Sequence, residues 1–288
     1  MLFRSGILLA LHKARQLGAT MVAQALGAHK LTLNKHIRGL VASVNEEKVM
    51  IPVSRFERIL TNLPWWLRPS VGYHEKKGHI TFDKLDSALY IQDFNQMSGL
   101  GQGDQYEFGH LTEVASADRP LTIEHDYFPT IPMSARSLHI LESTAQGRGN
   151  WWHTFTEGVR VGDYYRWTYV FIPWYTEPEK YSRPAPADWS AAAPSLAHAT
   201  KVSETSPEFC SGRSVTLTRD QLYWWETERA AYQKRGTLNL FLTNYCATPE
   251  ESFQHSTQGA FDHTVLERLR SESATGAYGF SIQHGAAS

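Results

Sequence analysis

The chain has 288 residues, 42% of them apolar, enough for one large domain or two small ones with a sizeable core. Its 28 Lys and Arg nearly cancel its 29 Asp and Glu, which excludes a generally basic nucleic-acid surface, though not a local basic patch. Two cysteines, Cys210 and Cys246, are too few for a disulfide framework and fit a reducing compartment.

No apolar run approaches the roughly 20 residues of a membrane span. The opening apolar stretch, Ile7-Leu8-Leu9-Ala10-Leu11, runs straight into His12-Lys13-Ala14-Arg15 without a small-residue cleavage site, so it reads as a core strand rather than a signal peptide. The segment from Lys13 to Thr20 follows. Laid on G-x-x-x-x-G-K-[ST], it puts Gly18 on the second glycine and Thr20 on the Ser/Thr. Lys13 occupies the first-glycine slot, and Ala19 stands where the lysine usually lies. Val22, Ala25, Leu26 and His29 then recur at helical spacing. Strand, loop and helix form the context of a phosphate cradle: amides at the helix start face an anion and one ammonium neutralises it. The plain alternative is a strand-turn-helix with a glycine in its turn.

Gly39 to Val44 reads as a second strand. Asn45 is placed to cap a helix carrying Val49, Val53, Phe56, Leu60 and Leu63, which Pro64 ends. Tyr73 to Phe82 reads as a hairpin turning at Lys77-Gly78, and Ser87 to Gln92 as a further strand. A glycine-dense loop, Gly99 to Gly103, leads to a strand and turn over Tyr106 to Ala115. Ser137 to Thr144 is a strand, followed by a Gly147/Gly149 turn and a helix from about Asn150 to Val161. Trp167 to Pro173 is another strand.

Strands alternating with helices argue for a mainly parallel α/β sheet. From Tyr175 to about Gly212, prolines scattered among Ala and Ser read as a long surface excursion. Leu217 to Asp220 opens a helix with Leu222, Trp225 and Ala230. Thr237 to Leu242 reads as a late strand, Thr248 to Phe253 as a turn or short helix, and Phe261 to Leu269 as a final helix.

Glu113, just past a strand, is a candidate to orient and polarise a water for phosphoryl transfer. An aspartate usually precedes such a glutamate, and Thr112 takes that place here. Ser143 and Thr144, ending an apolar strand, are candidates to sense a γ-phosphate, or to cap the helix that follows. His110, His139 and His153 lack a ligand spacing, which argues against a structural zinc. The nine tryptophans, including Trp65-Trp66, Trp151-Trp152 and Trp224-Trp225, read mostly as packing residues.

Taken in order, these motifs resemble the large terminase subunit of tailed phages and prophages, over roughly residues 7 to 270. Lys13 to Thr20 looks like that family's deviant Walker A loop. His110 to Ala115 looks like its Walker B strand end, and Glu142-Ser143-Thr144-Ala145-Gln146-Gly147 like its coupling motif. Phe171 to Tyr175 and Tyr245 to Phe253 are similar to stretches that follow.

The resemblance implies an ASCE-type P-loop NTPase with a three-layer α/β fold: an ATPase core over 1–175 and lid or linker segments over 176–288. It implies an ATP- and Mg²⁺-dependent ATPase that drives DNA into procapsids. ATP would be held by Lys13, Ala14, Arg15, Gln16, Leu17, Gly18, Ala19 and Thr20. Lys13 would meet the β/γ-phosphates and Thr20 would ligate Mg²⁺. Glu113 and Arg15 would be catalytic, and Ser143 and Thr144 would couple phosphate state to lid movement.

Expected partners are double-stranded DNA, the portal protein, the small terminase subunit and further copies in a ring, in the bacterial host cytoplasm and without a membrane. The family's RNase H-like nuclease domain is expected to be absent from this chain, and the Gly101-Gln102-Gly103 loop lacks an arginine that relatives often carry there. The competing readings are a non-hydrolysing remnant that still binds nucleotide, another P-loop ATPase such as a helicase, and a Trp-rich glycan-binding module. The last predicts a β-sandwich.

Overall fold

The computed structural model describes residues 6–74, 78–95, 99–101 and 103–253. Eight strands form one sheet: β1 (Ile7–Lys13), β2 (Arg38–Ser43), β3 (Gly72–His74), β4 (His79–Phe82), β5 (Ser87–Asp93), β6 (Phe108–Thr112), β7 (Leu138–Ser143) and β8 (Thr168–Ile172). Their spatial order is β3-β4-β5-β2-β6-β7-β1-β8. The six strands from β5 to β8 pair in parallel, and the β3/β4 hairpin adds antiparallel strands outside β5. β7 therefore sits between the loop-bearing β1 and β6, the strand that leads into Glu113.

The central strands are apolar and covered on both faces, as parallel strands are when helices flank them. Alternation assigns their residues to faces. Leu8, Ala10 and Leu141 join Trp152 and Phe155 of α3 (Trp151–Val161) on one face. Leu11 and Ile140 pack with Ala19 and Ala23 of α1 (Ala19–Leu33) on the other. Two residues further along, Lys13 and Glu142 fall on that same α1 face.

Local signals explain the helix starts. The Asn45 side chain accepts from the Lys48 amide and opens α2 (Glu46–Asn62), and Asn150 accepts from the His153 amide at the start of α3. Thr218 and Gln221 form a reciprocal capping box for α5 (Arg219–Lys234).

Three expectations are corrected. The stripe Val22, Ala25, Leu26 and His29 faces outward, Val22 at 59% exposure. The buried face of α1 is Ala19, Ala23, Gln24, Gly27, Ala28 and Leu31, four of the six being Ala or Gly, because the helix lies close to the sheet. A β-carbon on Gly27 would stand 2.5 Å from Phe108 Cζ.

The stretch after Tyr175 is not only excursion: it holds α4 (Ala193–Phe209), with Pro194 in its first turn. Its buried stripe is Ser195, His198, Val202 and Ser206, too polar to register as an apolar period.

Thr237 to Leu242 is not a strand but the start of α6 (Leu238–Asn244). Leu238, Phe241, Leu242 and Tyr245 meet one cluster at helical spacing, and a short apolar run alone does not separate the two periods.

Most tryptophans pack as expected, Trp152, Trp167, Trp174, Trp224 and Trp225 being buried, whereas Trp65 and Trp66, on the turn beyond α2, are 84% and 66% exposed. α7 (Pro249–Ser252) matches the short helix expected there. The expected helix 261–269 and the turn residue Lys77 lie outside the described residues.

Beyond β8, helices α4, α5 and α6 enclose a second aromatic core of Trp174, Tyr181, Trp224, Trp225 and Phe241. His198 is stacked between Trp174 and Trp225, with ring centroids at 5.9 and 4.1 Å. Burial, then the charges of Lys201 and Arg229, lower its pKa to about 3.

Candidate nucleotide site

The site is built where β1, β6 and β7 end. Lys13 closes β1, paired in register with Ile172 of β8. The chain then turns through Gln16 (φ 58°) and Gly18 (φ 75°, ψ 0°), both left-handed, and enters α1. Gly18 suits this bend because it has no β-carbon to strain the left-handed backbone. Its carbonyl accepts the amides of Met21 and Val22, the first turn of the helix. A cleft of about 980 Å³ opens above this bend.

Lys13, Arg15, Gln16, Leu17, Gly18, Ala19 and Thr20 all line this cleft, with Glu113 and Thr144 across from them. Ala14 is buried beneath the loop, among the residues of the helical core. Glu113 stands in a left-handed backbone (φ 62°, ψ 31°) immediately after β6, half-buried. Thr144 faces the cleft, whereas Ser143 is buried and accepts the Ala115 amide at 3.1 Å. Gly101 and Gly103 are not among the cleft-lining residues.

Sequence reasoning missed the residue at the centre of the site. Glu142, wholly buried, accepts hydrogen bonds at one carboxylate oxygen from the Thr20 hydroxyl (2.6 Å), the Thr112 hydroxyl (2.9 Å) and His110 Nε2 (3.1 Å). Its other oxygen lies 4.0 Å from Lys13 Nζ. Burial alone would raise this carboxyl. The hydrogen bond from His110, then the charge of Lys13 and the hydrogen bond from the Thr20 hydroxyl, outweigh it and hold the pKa below the ordinary carboxylate range, so Glu142 is an anion. The Gln24 amide nitrogen donates to His110 Nδ1 at 2.5 Å, leaving the Nε2 proton to face Glu142. The one sequence signal was a charge ending an otherwise apolar strand; its partners lie on three other elements and follow only from strand order.

Arg55 of α2 and Lys180, Asn239, Thr243 and Asn244 from beyond β8 also line the cleft. The helical region grips the loop directly. The Asn244 carbonyl accepts the Arg15 amide at 2.8 Å, Lys180 Nζ donates to the Gln16 carbonyl at 2.8 Å, and the Tyr181 hydroxyl donates to the Arg15 carbonyl.

Under β1 on the α3 face, His12 bridges the Tyr169 hydroxyl (2.9 Å) and the Ser252 hydroxyl (3.0 Å). Burial, then the charges of Arg160, His153 and Lys13, lower its pKa to about 3. His139 meets the Tyr127 hydroxyl, and His153 lies edge-on to Phe253. Among the described residues no group of three His, Cys, Asp or Glu side chains is arranged to hold a metal ion, and no helix is long and apolar enough to cross a membrane.

No protein-family model and no curated protein sequence matches the chain. Among solved structures, the large terminase of bacteriophage HK97 is similar with a TM-score of 0.52 and 11% identity, over 83% of this chain and 47% of that one. The ATPase domain of the Thermus phage P74-26 large terminase aligns with a TM-score of 0.44 and 16% identity, over 60% of this chain and 80% of that one. The chain thus spans about half the length of the HK97 terminase. With its strand order and the loop at the end of β1, the protein has the α/β P-loop NTPase fold that the HK97 large terminase also adopts.

Proposed function

We propose that this chain is the ATP-hydrolysing motor domain of a phage large terminase, driving DNA translocation into procapsids. One observation carries the reading: Lys13, Gly18, Thr20, Glu113 and Thr144 open into one cleft at the C-terminal edge of β1, β6 and β7. A large terminase from a thermophilic bacteriophage has been solved with ADP and with ATP-γ-S, which supports nucleotide as the occupant.

The residues fit the task. The amides entering α1 and the Lys13 ammonium would receive the β- and γ-phosphates. Thr20, whose hydroxyl proton is committed to Glu142, keeps its oxygen lone pairs for Mg²⁺. Bound Mg²⁺ would neutralise charge on the β- and γ-phosphate oxygens. Glu113 is placed to polarise the attacking water, and Arg15 and Arg55 add positive charge at the cleft wall. Thr144 would report the γ-phosphate, while Ser143 keeps the Glu113 turn in position.

Residues 1–175 form the ATPase core in this reading and the segment from 176 onward its lid. DNA would be held through its backbone in a salt-dependent manner, on a ring of copies docked to the portal and served by the small terminase subunit. The test is ATP turnover by purified chain, with and without double-stranded DNA, beside Lys13→Ala. The expected result is phosphate release that Lys13→Ala abolishes; equal rates in both proteins, or no nucleotide bound by either, would overturn the proposal.

A further inference from the structure

The acidic residue that usually precedes a Glu113-like glutamate is absent, and Thr112 stands in its place. The sheet register shows what fills the gap. Thr112 of β6 lies directly beside Glu142 of β7, and both point to the α1 face, under Thr20. We infer that Glu142 is the relocated carboxylate of the cation site, moved one strand sideways, with Thr112 serving as its hydrogen-bonding support. The inference rests on the nucleotide-site reading above and assigns a positioning residue within it.

Three features of the geometry carry it. First, the carboxylate accepts a hydrogen bond from the Thr20 hydroxyl at 2.6 Å, which points that proton at Glu142 and leaves the oxygen lone pairs facing away, free to ligate a cation. Second, Glu142 Oε2 is buried with no hydrogen-bond partner, and its nearest opposite charge is Lys13 Nζ at 4.0 Å, beyond hydrogen-bond reach. A buried anionic oxygen without a donor is costly, and one placed beside a cation-binding hydroxyl and a phosphate-binding ammonium has an electrostatic purpose. Third, the carboxylate is anchored through its other oxygen. Thr112, Thr20 and His110 share one oxygen, and Gln24 fixes the far nitrogen of His110. Such support is what keeps an outer-shell acid in one orientation.

The experiment uses the full chain and a fluorescent ATP analogue, titrated in EDTA and then with Mg²⁺. For Glu142→Gln, which keeps the shape and removes the charge, apparent Mg²⁺ affinity should fall by about 10–100-fold. Binding in EDTA should stay within about threefold of wild type, a change under 1 kcal/mol. The combined variant Thr112→Asp with Glu142→Gln returns an acid to β6 and should recover Mg²⁺ dependence. This recovery also guards against a fold defect, since a merely structural loss at 142 would not be mended by a charge at 112.

Wild-type Mg²⁺ dependence in Glu142→Gln would overturn the inference while leaving the nucleotide site intact. So would a combined variant as weak as Glu142→Gln alone. Wild-type chain that binds no nucleotide in either buffer would remove the nucleotide-site reading and this inference with it.

Discussion

Ser143 accepts the backbone N–H of Ala115 through its hydroxyl at 3.1 Å, tying the end of β7 to the turn that bears Glu113. The turn is strained at Glu113, whose backbone is left-handed without being glycine. A residue expected to touch phosphate thus does its work on the protein side. For Ser143→Ala we expect a stability loss of about 1 kcal/mol, the net value of one hydrogen bond, read as a lower urea midpoint. Turnover should drop further than nucleotide affinity, because the carboxylate loses its placement while the loop keeps its own. Equal losses in both would argue against this division of labour.

Glu113 itself makes no side-chain hydrogen bond or ion pair among the described residues, so its carboxylate is available to a water in the cleft. Glu113→Gln should retain nucleotide binding and lose about 10²–10⁴-fold in the rate of phosphate release, the range a positioned general base supplies. Single-turnover kinetics with bound ATP separates this from a defect in product release.

Where α1 crosses β6, Gly27 meets the Phe108 ring with no room for a methyl group, the nearest ring atoms being 2.5 and 2.7 Å from a β-carbon at 27. Gly27→Ala gains helix propensity on an open surface, but here overpacking should dominate, at about 1–3 kcal/mol. The expected readout is a lower denaturation midpoint. Adding Phe108→Leu should return part of the loss, which a double-mutant cycle would show as favourable coupling.

Three buried histidines set the acid limit of the fold. His12, His139 and His198 each have a pKa lowered to about 3, with burial the largest cause. Between the ordinary value of 6.5 and about 3, the unfolded chain binds protons that the native chain refuses. Stability is therefore full above pH 6.5 and falls as the pH drops toward 3. One such histidine costs about 2 kcal/mol at pH 5. His198→Phe, which keeps a ring between Trp174 and Trp225, should flatten the pH dependence between 7 and 5 by about that amount. Denaturant midpoints measured along the pH scale would show it, and an unchanged slope would count against a neutral His198.

How much of this was legible in the sequence depended on which force placed each residue. The parallel strands announced themselves as apolar runs, and Asn45, Asn150 and Thr218 marked helix starts because capping is local chemistry. The loop from Lys13 to Thr20 was readable for the same reason. The buried face of α1 was not, since contact there is made mostly by Ala and Gly, and the large residues Val22 and Leu26 drew attention to the wrong side. α4 hid behind a buried stripe of Ser and His, and α6 behind a run too short to show its period. Glu142 was out of reach altogether: its meaning depends on β7 lying between β1 and β6, a long-range pairing that no local window contains.

The peptide unit of Arg15 is clasped from outside on both sides, its N–H by the Asn244 carbonyl and its carbonyl by the Tyr181 hydroxyl. The region beyond β8 is therefore tied to the loop here, with Lys180 on the Gln16 carbonyl as a third tether. A displacement of that region would either break these bonds or carry the loop with it.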